Sequence, residues 1–120
     1  MNVSRDAVYV DRLRNRRNEI MRTLDHVHKE QRAVDENKEW IDRAAYVSRC
    51  HLLDSLAHWY ADESARIDEA LIRVSEGRYG VCLSCRAPIE SHRLETAPEA
   101  AFCAACQSVR EALAEARREL

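Results

Sequence analysis

The stretches Cys82-Leu83-Ser84-Cys85 and Cys103-Ala104-Ala105-Cys106 decide how the C-terminal part of this chain folds. In each stretch two residues separate the cysteines, so both sulfurs can turn toward one ion, and the loop between the stretches lets the second pair complete a tetrahedron. The pattern predicts one zinc ion held by Cys82, Cys85, Cys103 and Cys106. Because four thiolates close the coordination shell and leave no position for an activated water, we expect a structural rather than a catalytic zinc.

Two disulfides are the alternative for the same four cysteines. The sequence starts Met1-Asn2-Val3-Ser4 without an apolar leader. We therefore expect a cytoplasmic chain whose thiols stay reduced and free for metal. The fifth cysteine, Cys50, has no partner at metal-ligand spacing, and we interpret it as a spare thiol on a helix.

Composition limits both the size of the core and the partners. With 33% charged and 6% aromatic residues, the chain of 120 residues is not expected to bury a large globular core. Its formal net charge of -2 gives no general attraction to nucleic acid or to anionic membranes. No apolar run approaches the roughly 20 residues that span a bilayer, so we expect no membrane partner.

Two long segments without glycine or proline predict helices, from about Asp6 to Glu36 and from about Ala44 to Glu76. Apolar residues recur in both at alternating steps of four and three, as in a heptad repeat. The first seam is Leu13, Ile20, Leu24, Val27 and Val34, and the second is Leu53, Leu56, Tyr60, Ile67, Ala70 and Val74. The seams match in reverse order, which predicts an antiparallel coiled-coil hairpin that turns near residues 43 and 44.

The predicted fold is mainly α. Its parts are a coiled-coil hairpin over residues 1–77 with the tip near 37–44, and a zinc-finger module with a C-terminal helix over residues 78–120. Gly77 is the expected stop of the second helix. The segment from Gln107 onward predicts a short amphipathic helix with Val109, Leu113 and Ala116 on one face, which we expect to pack on the zinc module or the base of the hairpin.

The predicted tip combines carboxylates with a tryptophan. Its sequence is Asp35-Glu36-Asn37-Lys38-Glu39-Trp40-Ile41-Asp42-Arg43-Ala44. Carboxylates there can approach a hard cation such as magnesium or basic groups of a partner, and tryptophan is a frequent interface anchor. The alternative is a solvated turn in which Asp42 interacts with the positive end of the second helix.

At this point the residues resemble a known family. A hairpin with Asp42-Arg43-Ala44 at its turn, then Gly80-x-Cys82-x-x-Cys85, Arg93-Leu94-Glu95, Pro98 and Cys103-x-x-Cys106, is similar to the DksA/TraR family of bacterial transcription regulators. The resemblance implies a regulator of the stringent-response type that is not an enzyme and binds bacterial RNA polymerase through its secondary channel, altering open-complex stability and promoter output. We expect a monomer without sequence-specific DNA binding.

The resemblance also assigns roles to residues. Asp42 and Ala44 match the D-x-x-D-x-A tip motif of the family, while Glu39 stands for its first Asp and Trp40 for the residue that is commonly Pro. The residues expected to face the polymerase active site are Glu39, Trp40, Asp42, Arg43 and Ala44. Members of the family also bind the alarmone ppGpp, and Arg66 and Arg93 are candidate contacts to ppGpp or polymerase. Ala97 and Gln107 stand where those members have basic residues, which argues against synergy with ppGpp.

Two other functions fit parts of the sequence. An acidic tip with Glu39 and Asp42 could help hold a metal at the polymerase active site and stimulate transcript cleavage, as Gre factors do. The zinc module could instead bind nucleic acid. Its loop carries Arg86, His92 and Arg93 against three glutamates, which is a poor electrostatic footprint for that role.

Overall fold

The computed structural model describes residues 3–119, with side chains from Asp6 onward. Over this range the elements are the helices α1 (Val3–Glu36), α2 (Arg43–Ser75), α3 (Ser91–Thr96) and α4 (Ala104–Arg118), with a 3-10 helix at Lys38–Trp40. The described residues form no strand beyond one isolated antiparallel bridge, between Val81 and Pro88. The predicted mainly α class is confirmed.

The chain divides into two compact units. Asn15–Ala65 forms one unit, and the other joins the residues up to Arg14 with those from Arg66 onward. The first unit contains the connection between α1 and α2, and the second contains the four zinc-ligand cysteines. In the described range, no helix is both long enough and apolar enough to cross a membrane.

Within Asn15–Ala65 the two helices pack through the predicted seams. Ile20, Val27 and Val34 are buried on α1, and the facing residues of α2 are half-buried: Leu53, Leu56 and Tyr60. Fully burying such a side chain contributes about 1.5–3 kcal/mol, so the seam supplies the main stabilisation of this unit. The expected coiled-coil hairpin is confirmed.

Polar contacts along the same unit show that its helices are antiparallel. Arg16 donates from Nε to Glu63 at 2.7 Å and from Nη2 at 3.0 Å, which is a two-pronged ion pair. Further along α1, the Gln31 amide donates to Asp54 at 2.9 Å, and nearer the turn the Tyr46 hydroxyl donates to Asp35 at 3.3 Å. Later residues of α1 thus meet earlier residues of α2.

The turn lies at residues 37–42, so the expected position near 43 and 44 was wrong. Side-chain caps explain the difference, because they end one helix and start the next. The Asn37 amide donates to the Ala33 carbonyl at 2.7 Å at the end of α1. Asp42 accepts from the Ala45 N–H at 3.3 Å, which makes Asp42 the N-cap and Arg43 the first residue of α2.

The other end of α2 stops where the glycine predicts. Gly77 has a positive φ of 72°, and its N–H donates to Val74 at 3.1 Å while the Arg78 N–H donates to Arg73 at 2.8 Å. These two bonds form a Schellman motif, in which a left-handed residue reverses the chain and satisfies the last helical carbonyls. The chain then enters the zinc module directly.

The apolar face of α4 does not pack as expected. Val109 is 60% exposed and Leu113 is 56% exposed, and Ala116 is also exposed. The helix contacts the preceding loop through Arg110, whose guanidinium lies over the Phe102 ring at 4.2 Å from the centroid. The amphipathic pattern predicted the helix correctly but not a neighbour for its apolar face.

Candidate metal centre and hairpin tip

The four predicted cysteine ligands come together at one point. Their sulfur atoms all lie within 4.8 Å of one another, and no other such group of potential ligands occurs among the residues described. Cys85 Sγ and Cys103 Sγ are 3.8 Å apart, and with Zn–S bonds of about 2.3 Å the edge of a regular tetrahedron is about 3.8 Å. The donor set and its spacing therefore fit one zinc ion, which is the predicted cofactor.

Backbone hydrogen bonds shape the first cysteine pair into a tight knuckle. The Cys82 N–H donates to Ala87 at 2.8 Å, and the Arg86 N–H donates back to Cys82 at 3.0 Å. This return requires a left-handed residue, and Arg86 supplies it with a φ of 63°. The Leu83 N–H donates to Ala101 at 2.9 Å, which brings the first pair against the segment that leads to the second.

The electrostatics of the metal-free thiols are uneven. Burial alone would raise the pKa of Cys82, but backbone N–H groups of Cys85 and Cys103 lower the pKa of Cys82 to about 6. By contrast, hydrogen bonds to Cys103 and Cys82 raise the pKa of Cys106 to about 12. At neutral pH Cys82 is thus a ready thiolate ligand, whereas Cys106 must release a proton when metal binds.

Polar side chains position the second knuckle. The Arg93 Nε donates to the Phe102 carbonyl at 2.9 Å, just ahead of Cys103. A Glu90 carboxylate oxygen accepts from the Ala104 N–H at 3.3 Å and so binds the first turn of α4. These two residues hold the start of α4, so that Cys106 in the helix and Cys103 just before it reach the metal position.

Two further residues support the module, and the sequence reading missed them. Arg73 is 5% exposed and donates to the carbonyls of Glu99 and Ala100 at 3.3 and 3.5 Å. Tyr79 is 1% exposed, and its hydroxyl donates to the Pro98 carbonyl at 2.8 Å. Arg73 links α2, and Tyr79 links the segment after α2, to the loop before the second cysteine pair. Local spacing cannot reveal such tertiary contacts.

The predicted tip residues are all on the surface. Glu39 and Trp40 lie in the 3-10 helix, Asp42 follows it, and Arg43 and Ala44 begin α2. Trp40 is 86% exposed. An indole with that exposure contributes nothing to the core of its own unit, so it is available as an interface anchor.

The structure gives different settings to the basic candidates. Arg66 is an exposed residue of α2, whereas Arg93 is half-buried and uses its Nε on the Phe102 carbonyl. Ala97 is the C-cap of α3, and Gln107 on α4 donates to Glu111 at 2.9 Å. Arg93 therefore uses one of its N–H donors within the zinc module.

The fold and the four cysteines are those of a helical-hairpin protein with a zinc module.

Comparison with known proteins supports this assignment. The family model "Prokaryotic dksA/traR C4-type zinc finger" matches residues 77–112. An uncharacterized protein of Aquifex aeolicus (strain VF5) is 32% identical over 90 residues. That match covers 72% of this chain and 62% of the Aquifex protein, so the chain spans less than two thirds of that relative.

Two solved structures are similar over nearly the whole chain. Transcription factor DksA2 from Pseudomonas aeruginosa has a TM-score of 0.81 at 25% identity, covering 96% of this chain and 89% of its own. The DnaK suppressor protein from Agrobacterium tumefaciens C58 has a TM-score of 0.57 at 30% identity, covering 91% and 94%. The chain belongs to the DksA/TraR family, whose members are transcription factors.

Proposed function

We propose that this protein regulates transcription by binding bacterial RNA polymerase through the secondary channel, with the hairpin tip near the active site. Binding there alters the stability of open complexes and hence promoter output. Family membership supports the transcriptional role. The observation that carries the proposal is the tip itself, where Glu39, Trp40 and Asp42 are exposed together at the end of a helical hairpin.

Caps and contacts between the two helices hold the hairpin tip in an ordered conformation. Caps at Asn37 and Asp42 define both helix ends beside the turn. Behind them, Gln31 with Asp54 and Arg16 with Glu63 bridge the helices. Such contacts restrict fraying of the helix ends. Binding of a partner therefore loses little free energy to ordering the tip.

The four thiolates have a structural role in this proposal. When bound, zinc would cross-link the two knuckles. Its closed tetrahedral shell would leave no coordination position for catalysis. The chain's own contacts then complete the module: Tyr79 binds Pro98 and Arg93 binds Phe102. The fold of the module should therefore depend on metal.

The test separates the charge of Asp42 from its capping role. Asn is as good an N-cap as Asp, so Asp42→Asn removes the charge and keeps the start of α2. The matched control is Asp62→Asn, which makes the same change at an exposed position of the same helix. The measurement is the lifetime of open complexes at a ribosomal RNA promoter with purified bacterial RNA polymerase.

We expect the wild type and Asp62→Asn to shorten that lifetime and Asp42→Asn to bind polymerase without shortening it. If Asp42→Asn loses binding and effect together, the tip is an anchor rather than an effector. If no form of the protein binds polymerase, the proposal is wrong. Stimulated cleavage of a backtracked transcript would instead support the transcript-cleavage alternative.

We propose further that ppGpp adds little to this regulation. Ala97 and Gln107 offer no cation for its phosphates, and Arg93 already binds the Phe102 carbonyl. Arg66 is then one exposed cation without the other basic residues that the resemblance implies for this ligand.

A further inference from the structure

A groove lies beside the first zinc knuckle and has no part in the proposed role of the tip. It encloses about 310 Å³ and is lined by Gly77, Arg78, Val81, Cys82, Leu83 and Arg86. This volume is at the low end of the roughly 300–1,000 Å³ typical of ligand sites. We call it the knuckle groove. It accommodates a few side chains of an extended segment rather than a folded domain.

The backbone conformation of Arg86 sets this groove apart from an ordinary charged surface. Its φ of 63° is in the left-handed region, where glycine is the unstrained residue. The turn of the knuckle requires that conformation, but it does not require an arginine. Strained positions of this kind cluster where a side chain has a function of its own.

The guanidinium of Arg86 is available for a ligand. Arg86 is exposed, and among the residues described no hydrogen bond or ion pair involves its side chain. Arg78 lies on the same groove and binds the Glu76 carboxylate from both Nε and Nη2. That carboxylate offsets one of the two cations, so the knuckle groove retains a net positive charge from Arg86.

The apolar lining narrows the ligand class. Leu83 is 45% exposed and Val81 is half-buried, so aliphatic surface lines the groove together with the two arginines. None of the described residues that line the groove is aromatic, and binding of unpaired bases relies on aromatic rings for stacking. Arginine pairs with carboxylates in a planar, two-pronged geometry. A segment with Asp or Glu beside an aliphatic side chain matches this surface better than a nucleic acid does.

We propose that the knuckle groove docks an acidic, aliphatic peptide segment of a protein partner, with Arg86 as the charge that recognises it. The identity of the partner, bacterial RNA polymerase, rests on the proposed function. The competing explanation is that Arg86 only offsets the double negative charge of zinc bound by four thiolates. The two explanations predict different effects of Arg86→Gly on zinc retention and on ligand binding.

Glycine adopts the left-handed conformation freely, so Arg86→Gly should keep zinc and leave the thermal midpoint unchanged or raised. If the docking proposal holds, the same variant binds an acidic segment at least about tenfold more weakly, as expected for loss of a charged hydrogen bond. If Arg86 serves the metal charge, Arg86→Gly loses zinc to a chelator faster and docking is unaffected. Arg117→Gln is the control, because it removes an exposed arginine of α4 that is not in the groove lining.

The first experiment uses the zinc-loaded full chain and a short synthetic peptide of alternating Glu and Leu. Arginine Nε–H signals are followed by NMR during titration, with a single-stranded oligonucleotide of equal charge as the second ligand. We expect the peptide to shift the Arg86 signal in the wild type and in Arg117→Gln, and to bind Arg86→Gly weakly. A shift with the oligonucleotide but not the peptide overturns the proposal, and so does no shift with either.

The second experiment tests the partner. A benzophenone side chain in place of Leu83 is photo-activated in the complex with purified RNA polymerase, and the cross-linked peptide is identified by mass spectrometry. We expect a segment rich in Asp or Glu. Cross-linking elsewhere, despite binding, excludes the polymerase as the partner of the groove. Absence of any polymerase binding refutes the proposed function, while the peptide titration still decides the groove.

Discussion

Replacing Tyr79 by phenylalanine removes one hydroxyl from the best-buried aromatic residue of the zinc-bearing unit. The ring is 1% exposed, so its apolar contacts stay, and the change is confined to the bond of 2.8 Å to the Pro98 carbonyl. Leaving a partly buried acceptor unpaired costs about 1–2 kcal/mol. For a chain of this size that is a fall of roughly 5 °C in the unfolding midpoint.

A pH series adds a second readout for Tyr79→Phe. Burial first of all, and then the nearby Asp6 carboxylate, raises the pKa of Tyr79 above its ordinary value of 10.0. A raised folded-state pKa means that the contribution of this phenol to stability is complete below pH 10 and is lost as the pH rises beyond it. The variant lacks this phenol, so the stability difference between wild type and variant should shrink in alkali.

The assay is thermal unfolding of the zinc-loaded protein by circular dichroism, with zinc content measured on the same samples. Tyr60→Phe is the control, because the hydroxyl of this half-buried residue makes no hydrogen bond within the described range. We expect the midpoint of this variant to move by less than about 1 °C. An unchanged midpoint for Tyr79→Phe would refute the argument that this bond fastens the Pro98 loop to the segment that follows α2.

Three other predictions concern the metal, the hairpin and the alarmone. Zinc affinity should fall by about tenfold or more per pH unit on going from pH 7.5 toward 6, because protons compete with zinc for the thiolates of Cys82 and Cys106. A chelator competition whose profile is flat over this range contradicts the prediction. Cys106→Ser should reduce the zinc content. Glu63→Gln should lower the stability of the hairpin by about 0.5–1 kcal/mol. The loss should be larger at low salt than at high salt, because the side chain of its partner Arg16 is 42% exposed and salt screens the pair. Equal losses at both salt concentrations in denaturant unfolding would count against the ion pair. Adding ppGpp should change the open-complex lifetime with this protein by less than about twofold, and tenfold synergy would show that other cations replace the missing ones.

Local chemistry made the metal ligands and the helices predictable. Two residues between cysteines are enough to direct both sulfurs to one ion, so Cys82 and Cys106 could be assigned to the same site without knowledge of the fold. The long segments without glycine or proline, and the stop at Gly77, likewise depend on residues close together in the chain. The seams predicted which residues are buried, including Ile20 and Val27.

Predictions that depended on which surfaces meet were less accurate. The turn was placed too late, because the seam pattern does not contain the caps made by Asn37 and Asp42. The apolar face of α4 was expected to pack, but periodicity shows only that a helix has such a face, and Leu113 lies exposed. The bond from Arg93 to the Phe102 carbonyl, nine residues further along the chain, was not predicted.

The zinc ligands, the helical class and the hairpin could be predicted from the residues alone, because each follows from spacing and periodicity over short stretches. The buried roles of Arg73 and Tyr79, and the groove lined by Arg86, depend on how distant parts of the chain meet in the fold. Those features arise when carbonyls and side chains distant in the chain meet, as Arg73 meets Glu99. Loop closure brings such groups together, and nothing in their local sequence records it.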